Sequence, residues 1–117
     1  MNNLDTVTES VVPISEICKK NLRGTVLDVF WCFTQYNRLH KKKIIEIFME
    51  HDERQNTKPS TYRSMVDIAI AKLEAAMFID AYKEGTKDIY YLTSYGNAAK
   101  EYVTDLTAND PTIMLET

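Results

Sequence analysis

The clearest structural pattern in this chain lies in the segment KLEAAMFID at residues 72–80 and the segment YYLTSYGNAAKEY at residues 90–102. Apolar residues at helical spacing fill the first segment, and the pattern then changes to the alternation that is typical of β-strands. The second segment carries a strand pattern into Thr93 and Gly96, after which helical spacing resumes. Thr93 can cap this last helix with its hydroxyl, and Gly96 permits two backbones to approach closely. The two segments therefore predict a helix, a β-hairpin and a second helix that pack together.

The residues upstream of these segments show three further helical patterns. Pro13 suits the first turn of a short helix, residues 25–36 are apolar on most sides, and another pattern begins at Lys41. A polar break at residues 37–40 precedes Lys41, and the polar residues 51–58 are typical of a turn. Pro59 then stands at a first helical position.

These patterns predict a single domain over residues 1–117 that belongs to the α+β class and is mainly helical. Its parts are a flexible arm at 1–12, N-terminal helices at 13–50, a long helix at 58–79, a two-stranded hairpin at 81–92 and a C-terminal helix at 96–107. This order is that of a winged helix-turn-helix, in which the long helix is the recognition helix and the hairpin is the wing.

The two segments at residues 72–80 and 90–102 resemble the winged-helix regulators of the MarR and PadR type. In those families the recognition helix ends in a leucine, an acid, two small residues, an apolar residue and an isoleucine, which residues 73–79 match. A closure of tyrosine, leucine, threonine and glycine follows the wing, as in residues 90–96. The resemblance covers about residues 25–103 and implies a DNA-binding protein. Met77 departs from the pattern, because those families usually carry glycine there.

The charge of the chain is unevenly distributed along its length. The formal net charge is −3, but all fourteen Lys and Arg residues lie between Lys19 and Lys100, together with only ten of the seventeen acids. This central span therefore has a net charge of +4 and is flanked by acidic ends. Because local charge governs phosphate binding, the acidic pI of the whole chain does not exclude a nucleic-acid partner.

Candidate DNA contacts follow from the predicted elements. A recognition helix reads base edges with its N-terminal residues, while the preceding helix and the wing contact the DNA backbone. Cations and hydroxyl groups suit both tasks. The ten candidates in these places are Lys41, Lys42, Lys43, Lys58, Ser60, Thr61, Tyr62, Arg63, Lys83 and Lys87. Among them, Arg63 is the residue that we expect to contact a base.

Other classes of function find little support in the sequence. His40 and His51 lack cysteine or carboxylate partners at metal-ligand spacing, and three glycines in the chain make no phosphate-binding loop. We therefore expect neither an enzyme, nor a metal, nor a cofactor. Cys18 and Cys32 lie in apolar, helix-like stretches and are expected to be reduced packing residues. With no signal sequence and no membrane-length apolar run, we expect a cytoplasmic protein without a membrane partner.

Two classes of function remain open. The first is a homodimer that binds double-stranded DNA, either as a transcriptional regulator or as a plasmid-partition adaptor of the TubR type, which binds a centromere. The second is a winged helix used only for protein–protein contact. The apolar helix at 25–36 and the C-terminal helix are the expected dimer surface. The acidic C-terminal segment, 101–117, is a candidate docking surface for a basic protein partner.

Overall fold

The structure, a computed structural model, describes residues 12–51 and 58–109. These residues form five helices and a three-stranded antiparallel sheet. In chain order the elements are α1 (Ile14–Asn21), α2 (Gly24–Gln35), β1 (Arg38–His40), α3 (Lys41–His51), α4 (Pro59–Ala75), β2 (Ile79–Glu84), β3 (Lys87–Leu92) and α5 (Ser94–Asn109). The architecture is therefore α+β, as predicted, and it is compatible with a winged helix. No helix in the described ranges combines the length and the apolar character needed to cross a bilayer.

Helix α2 lies at the centre of the core. Its Val29 and Phe30 are fully buried, and it packs most extensively against α4, whose Val66 and Leu73 are also fully buried. The expectation that α2 supplies a dimer surface is therefore not supported by its packing, because most of its apolar residues are used within the same chain. Its remaining partly exposed apolar side chain is that of Trp31.

Helix α4 ends in a tight reversal that aims the chain into the sheet. The N–H of Phe78 donates to the carbonyl of Leu73 over 3.0 Å, and the N–H of Met77 donates to the carbonyl of Glu74 over 2.9 Å. This pair of bonds is the Schellman motif, whose pivot residue adopts a left-handed conformation. Met77 is that residue, with φ 66°. The helix predicted for residues 58–79 therefore ends at Ala75, and the prediction was four residues too long at this end.

Thr93, which follows the hairpin, forms hydrogen bonds with the backbone of this reversal. The N–H of Thr93 donates to the Phe78 carbonyl over 3.0 Å, and the Thr93 hydroxyl donates to the Met77 carbonyl over 2.6 Å. The same hydroxyl oxygen accepts the Gly96 N–H over 2.9 Å, which confirms the predicted cap of the last helix. A Cβ atom at Gly96 would overlap the carbonyl of Phe78, so the predicted close approach of two backbones is also confirmed.

The sheet has one strand more than predicted. β3 is its central strand, with β2 on one side and β1 on the other, and Leu39 pairs with Tyr90. The sequence predicts a polar break at residues 37–40 and not a strand. A strand of three residues with a single buried side chain gives too short an alternating pattern to be recognised. The β2–β3 turn is Gly85-Thr86, and Gly85 has the positive φ, 66°, that its place in a two-residue hairpin loop requires.

Both cysteines are packing residues. Cys18 and Cys32 are buried and form no disulfide. Burial raises the pKa of each thiol to about 11, so both are neutral at physiological pH.

Several predictions made from the sequence lie outside the described residues. These are nearly all of the arm at 1–12, most of the polar turn at 51–58, and the end of the acidic C-terminal segment, 110–117.

Replacing Met77 with glycine is expected to stabilise the protein. Glycine adopts the left-handed conformation without the steric penalty of a Cβ atom, and the Met77 side chain is 70% exposed, so little packing is lost. We expect the free energy of unfolding to rise by about 0.5–1 kcal/mol for Met77→Gly.

The contrasting change, Gly96→Ala, places a methyl group against a buried carbonyl and should lower the free energy of unfolding by about 1–3 kcal/mol. Urea denaturation followed by the fluorescence of Trp31 measures both effects. A Met77→Gly protein that is less stable than the parent would contradict the assigned reversal.

Candidate nucleic-acid interface

The first turn of α4 presents polar side chains to solvent. Pro59 occupies the first helical position, as predicted, and Lys58 precedes it at the N-cap without making a side-chain capping bond. Lys58, Ser60, Thr61 and Arg63 are all exposed. No acidic residue lies in this turn. The start of α4 therefore offers two cations, two hydroxyl groups and the positive end of the helix dipole to solvent.

Tyr62 does not belong to this surface. Its side chain is 6% exposed, because the helical period places it on the same side as the buried Val66 and Leu73. This burial does not favour the prediction that Tyr62 contacts DNA. In the sequence Tyr62 stands among polar neighbours, and only its spacing to the apolar residues that follow could have revealed its orientation.

The outward face of α4 carries small residues along its centre, with the exposed carboxylate of Asp67 on one side. Ser60, Ser64 and Ala71 follow one another along the side of the helix opposite the core, and all are exposed. Ile68 lies beside them and is 57% exposed, although its apolar character suggests a core position. Small side chains allow an exposed helix face to approach another surface closely, and Ile68 is an apolar contact point on that face.

Lys41 is held by an acid of the neighbouring helix. Its Nζ lies 2.6 Å from Oδ1 of Asp67, and both side chains are about half exposed. The hydrogen bond with Asp67 raises the pKa of Lys41, so the lysine stays charged, but its charge is balanced locally. Lys41 would have to leave Asp67 to neutralise a phosphate.

The other two lysines at the start of α3 are differently placed. Lys42 is exposed, whereas the Lys43 Nζ lies 5.8 Å from the centre of the Tyr36 ring, at cation–π distance. The backbone N–H of Lys43 donates to Nδ1 of His40 over 3.1 Å. His40 thus acts as a cap for α3, a structural role that the sequence does not reveal.

The two predicted wing lysines lie on opposite faces of the hairpin. Lys83 is directly opposite Asp88, and its Nζ lies 3.0 Å from Oδ1 of that carboxylate. Lys87 pairs in register with Glu84 beside the turn and is exposed. Lys83 is therefore balanced by an acid, while Lys87 makes no ion pair within the described residues.

The strip between α4 and the sheet carries mixed charge. Tyr90 lies there, and its pKa is raised by burial and further by the carboxylates of Asp88, Glu74 and Asp67, against the opposing effect of Lys41. Three acids therefore border the core-facing side of the hairpin, and two of them are paired with lysines, Asp67 with Lys41 and Asp88 with Lys83. This strip repels phosphates more than the first turn of α4 does.

A cation that sequence reasoning missed lies on the outer face of the sheet. Arg38 is exposed in β1, and its guanidinium donates to the hydroxyl of Tyr82 over 3.0 Å, which raises the arginine pKa further. Tyr82 in turn contacts the ring of Tyr91. Recognising β1 as a strand would have placed Arg38 on this face.

Within the described ranges, no group of three His, Cys, Asp or Glu side chains is arranged to hold a metal ion. Comparison with models of known protein families gives no match. Comparison with curated proteins finds no significant similarity.

Removing the acid that holds Lys41 provides a test of this interface. Asp67→Asn frees a cation beside α4, so we expect binding to mixed-sequence duplex DNA to strengthen by about two- to fivefold at low salt. Fluorescence anisotropy with a labelled duplex measures this change.

Asp105→Asn is the matched control, because it makes the same change in net charge at an exposed position on α5. An equal effect of the two variants would show that only net charge matters and that Lys41 lies away from the DNA.

Proposed function

We propose that this protein binds double-stranded DNA as a winged helix, with α4 as the recognition helix and the β2–β3 hairpin as the wing. The observation that carries the proposal is the first turn of α4, where Lys58, Ser60, Thr61 and Arg63 are exposed together and no acid is present. The resemblance of the closing segments to MarR- and PadR-type regulators agrees with this assignment. The proposal involves no catalytic step, cofactor or metal.

The outward face of α4 suits insertion into the major groove, which is wide enough to admit an α-helix. Arg63 can donate two hydrogen bonds to the edge of a guanine, and the exposed methyl groups of Ile68 can contact the methyl group of a thymine. Ser60 and Thr61, near the start of the helix, are placed to bind phosphate oxygens. The small residues between them keep the helix close to the floor of the groove.

Phosphate neutralisation in this proposal comes from four cations. Lys42, Lys58, Arg63 and Lys87 are exposed and make no ion pair within the part of the chain that the structure describes. Each cation that contacts a phosphate releases counterions, so affinity falls as salt rises. Lys41 and Lys83 contribute less, since Asp67 and Asp88 already balance them.

A winged helix used only for protein contact is the second candidate. The specific observation in its favour is that two of the predicted phosphate-binding lysines, Lys41 and Lys83, are engaged by acids of the same chain. A surface on which positive and negative side chains are paired is better suited to contact with a protein than to contact with the polyanion DNA. Affinity for duplex DNA distinguishes the two candidates.

We further propose a homodimer that acts on a two-fold symmetric site, either in transcriptional regulation or in plasmid partition. Because α2 is buried in its own chain, the proposed contact is formed by α1 and α5, which pack against each other. Ile14, Ile17, Tyr102 and Leu106 are only partly buried on these helices. Symmetric dimers are the most frequent oligomers, and this pairing leaves α4 free.

Arg63→Ala is expected to weaken specific binding by about 1–3 kcal/mol, because a bidentate contact to guanine is lost. Lys87→Ala should instead weaken binding to any sequence and reduce the dependence of log K on log salt by about one. Gel shifts with DNA from upstream of the protein's own gene, at about 50 mM and about 200 mM salt, measure both effects.

Arg23→Ala, an exposed arginine between α1 and α2, is the matched control and should bind as the parent does. If Arg63→Ala also binds as the parent does, α4 is not the reading element.

The dimer can be tested by placing a charge in the proposed contact. Leu106→Glu introduces a carboxylate into the α1–α5 surface and should convert a dimer into a monomer at micromolar concentration, because a buried unpaired charge is unfavourable. Met49→Glu, at an exposed apolar position of α3, is the control that should remain dimeric. Sedimentation velocity measures both. A parent protein that sediments as a monomer would contradict the proposed dimer.

A further inference from the structure

An open cavity is lined by residues of α2, of the C-terminal half of α3 and of the start of α4. Its volume is about 760 Å³, which is in the range of pockets that hold drug-sized molecules. No role has been assigned to it in the DNA-binding proposal above. Its lining includes both polar and apolar side chains, and most of the apolar side chains are aromatic.

Four aromatic side chains line the cavity: Trp31 and Tyr36 from α2 and its C-terminal end, Phe48 from α3, and Tyr62 from α4. Aromatic faces attract cations, most strongly where water is excluded. Tyr36 already makes such a contact with a residue outside the lining, because the Lys43 Nζ lies 5.8 Å from the centre of its ring. The aromatic lining therefore favours a ligand that has both flat apolar surface and positive charge.

The charged groups of the lining point to the same chemistry. Asp28 and Glu50 supply two carboxylates, His51 supplies one imidazole, and none of the described lining residues is a lysine or an arginine. Asp28 is solvent-exposed, and desolvation by the neighbouring protein atoms raises the pKa of its carboxyl group. A positively charged ligand would restore the favourable interaction that the carboxylate has lost, whereas an anion would be repelled.

We propose that this cavity binds an organic cation that carries aromatic rings. The aromatic rings of the ligand pack between Trp31, Phe48 and Tyr62, and its positive charge lies toward Asp28. The lining of this cavity does not overlap with the proposed phosphate contacts, because no lining residue is among the cations proposed to contact phosphate.

The cavity adjoins the proposed DNA-reading turn. Tyr62 is shared by both, since its ring lines the cavity while its neighbours Thr61 and Arg63 are exposed on the first turn of α4. A ligand that packs on the Tyr62 ring therefore bears directly on the position of Arg63. Occupation of the cavity is accordingly coupled to DNA affinity, and by linkage each ligand changes the affinity of the other by the same factor.

Two ions of matched shape and opposite charge test the binding site. Tetraphenylphosphonium and tetraphenylborate differ in the sign of their charge and in little else. Trp31 is the single tryptophan of the chain, so its fluorescence reports directly on the cavity. We expect saturable quenching, one ion per chain by calorimetry, with the phosphonium and no binding of the borate. Equal binding of both ions, or binding of neither, would overturn the proposal.

Asp28→Asn should weaken phosphonium binding by about three- to fivefold, since it removes charge with almost no change in shape. Asp105→Asn, on α5 and away from the cavity, is the matched control and should bind as the parent does. Circular dichroism establishes that both variants fold. Unchanged affinity in a folded Asp28→Asn protein would show that the carboxylate does not hold the cation.

A final measurement adds duplex DNA. Saturating phosphonium should change the dissociation constant for DNA by at least about fivefold in the parent, a typical coupling between two sites. If the cation binds and DNA affinity stays constant, the coupling is wrong and the binding site stands. If the protein binds no DNA with or without the cation, the proposed function fails, while the fluorescence result still decides the cavity.

Discussion

The backbone of Phe78 is the point on which the rest of this structure depends. Its N–H closes the reversal after α4, and its carbonyl accepts the N–H of Thr93 at the entry to α5. Gly96 leaves room for that carbonyl, since any side chain would occupy the same space. The Phe78 ring is fully buried and contacts the rings of Phe30 and Tyr95. One residue thus joins the long helix, the sheet, the last helix and the core.

This joint determines where the candidate DNA-binding surfaces lie. Because the reversal at Met77 turns the chain directly from α4 into β2, the hairpin is anchored at the end of the same helix whose first turn carries Arg63. Core packing of Val66 and Leu73 fixes the rotation of α4, and that rotation exposes Ser60 and Ile68. The reading surface that we propose is therefore a consequence of packing on the opposite side of the helix.

The sequence predicted the parts of the fold that local chemistry determines. The Thr93 cap, the close approach at Gly96 and the start of α4 at Pro59 are confirmed, because each depends on neighbouring residues. The differences between prediction and structure come from interactions between distant residues. β1 forms only because β3 offers it a partner, and Tyr62 is buried only because α4 is rotated toward α2 and α3.

The candidate interface could be predicted only in part, for the same reason. The exposure of the first turn of α4 follows from its composition. Which lysines are paired with acids does not follow from composition. Lys41 meets an acid twenty-six positions away, and Lys83 meets one across a hairpin. Such pairs decide which lysines are available to a phosphate, and they depend on the packed arrangement of α3, α4 and the sheet.

An NMR titration of the ¹⁵N-labelled protein with mixed-sequence duplex DNA of about two helical turns, at low salt, tests DNA binding by α4 most directly. We expect the largest amide shifts at residues 58–64 at the start of α4, with a second group at the tip of the hairpin around Gly85 and Lys87. Residues of α5 should remain unaffected. Shifts that concentrate on the outer face of the sheet around Arg38, or no shifts at all, would contradict DNA binding by α4.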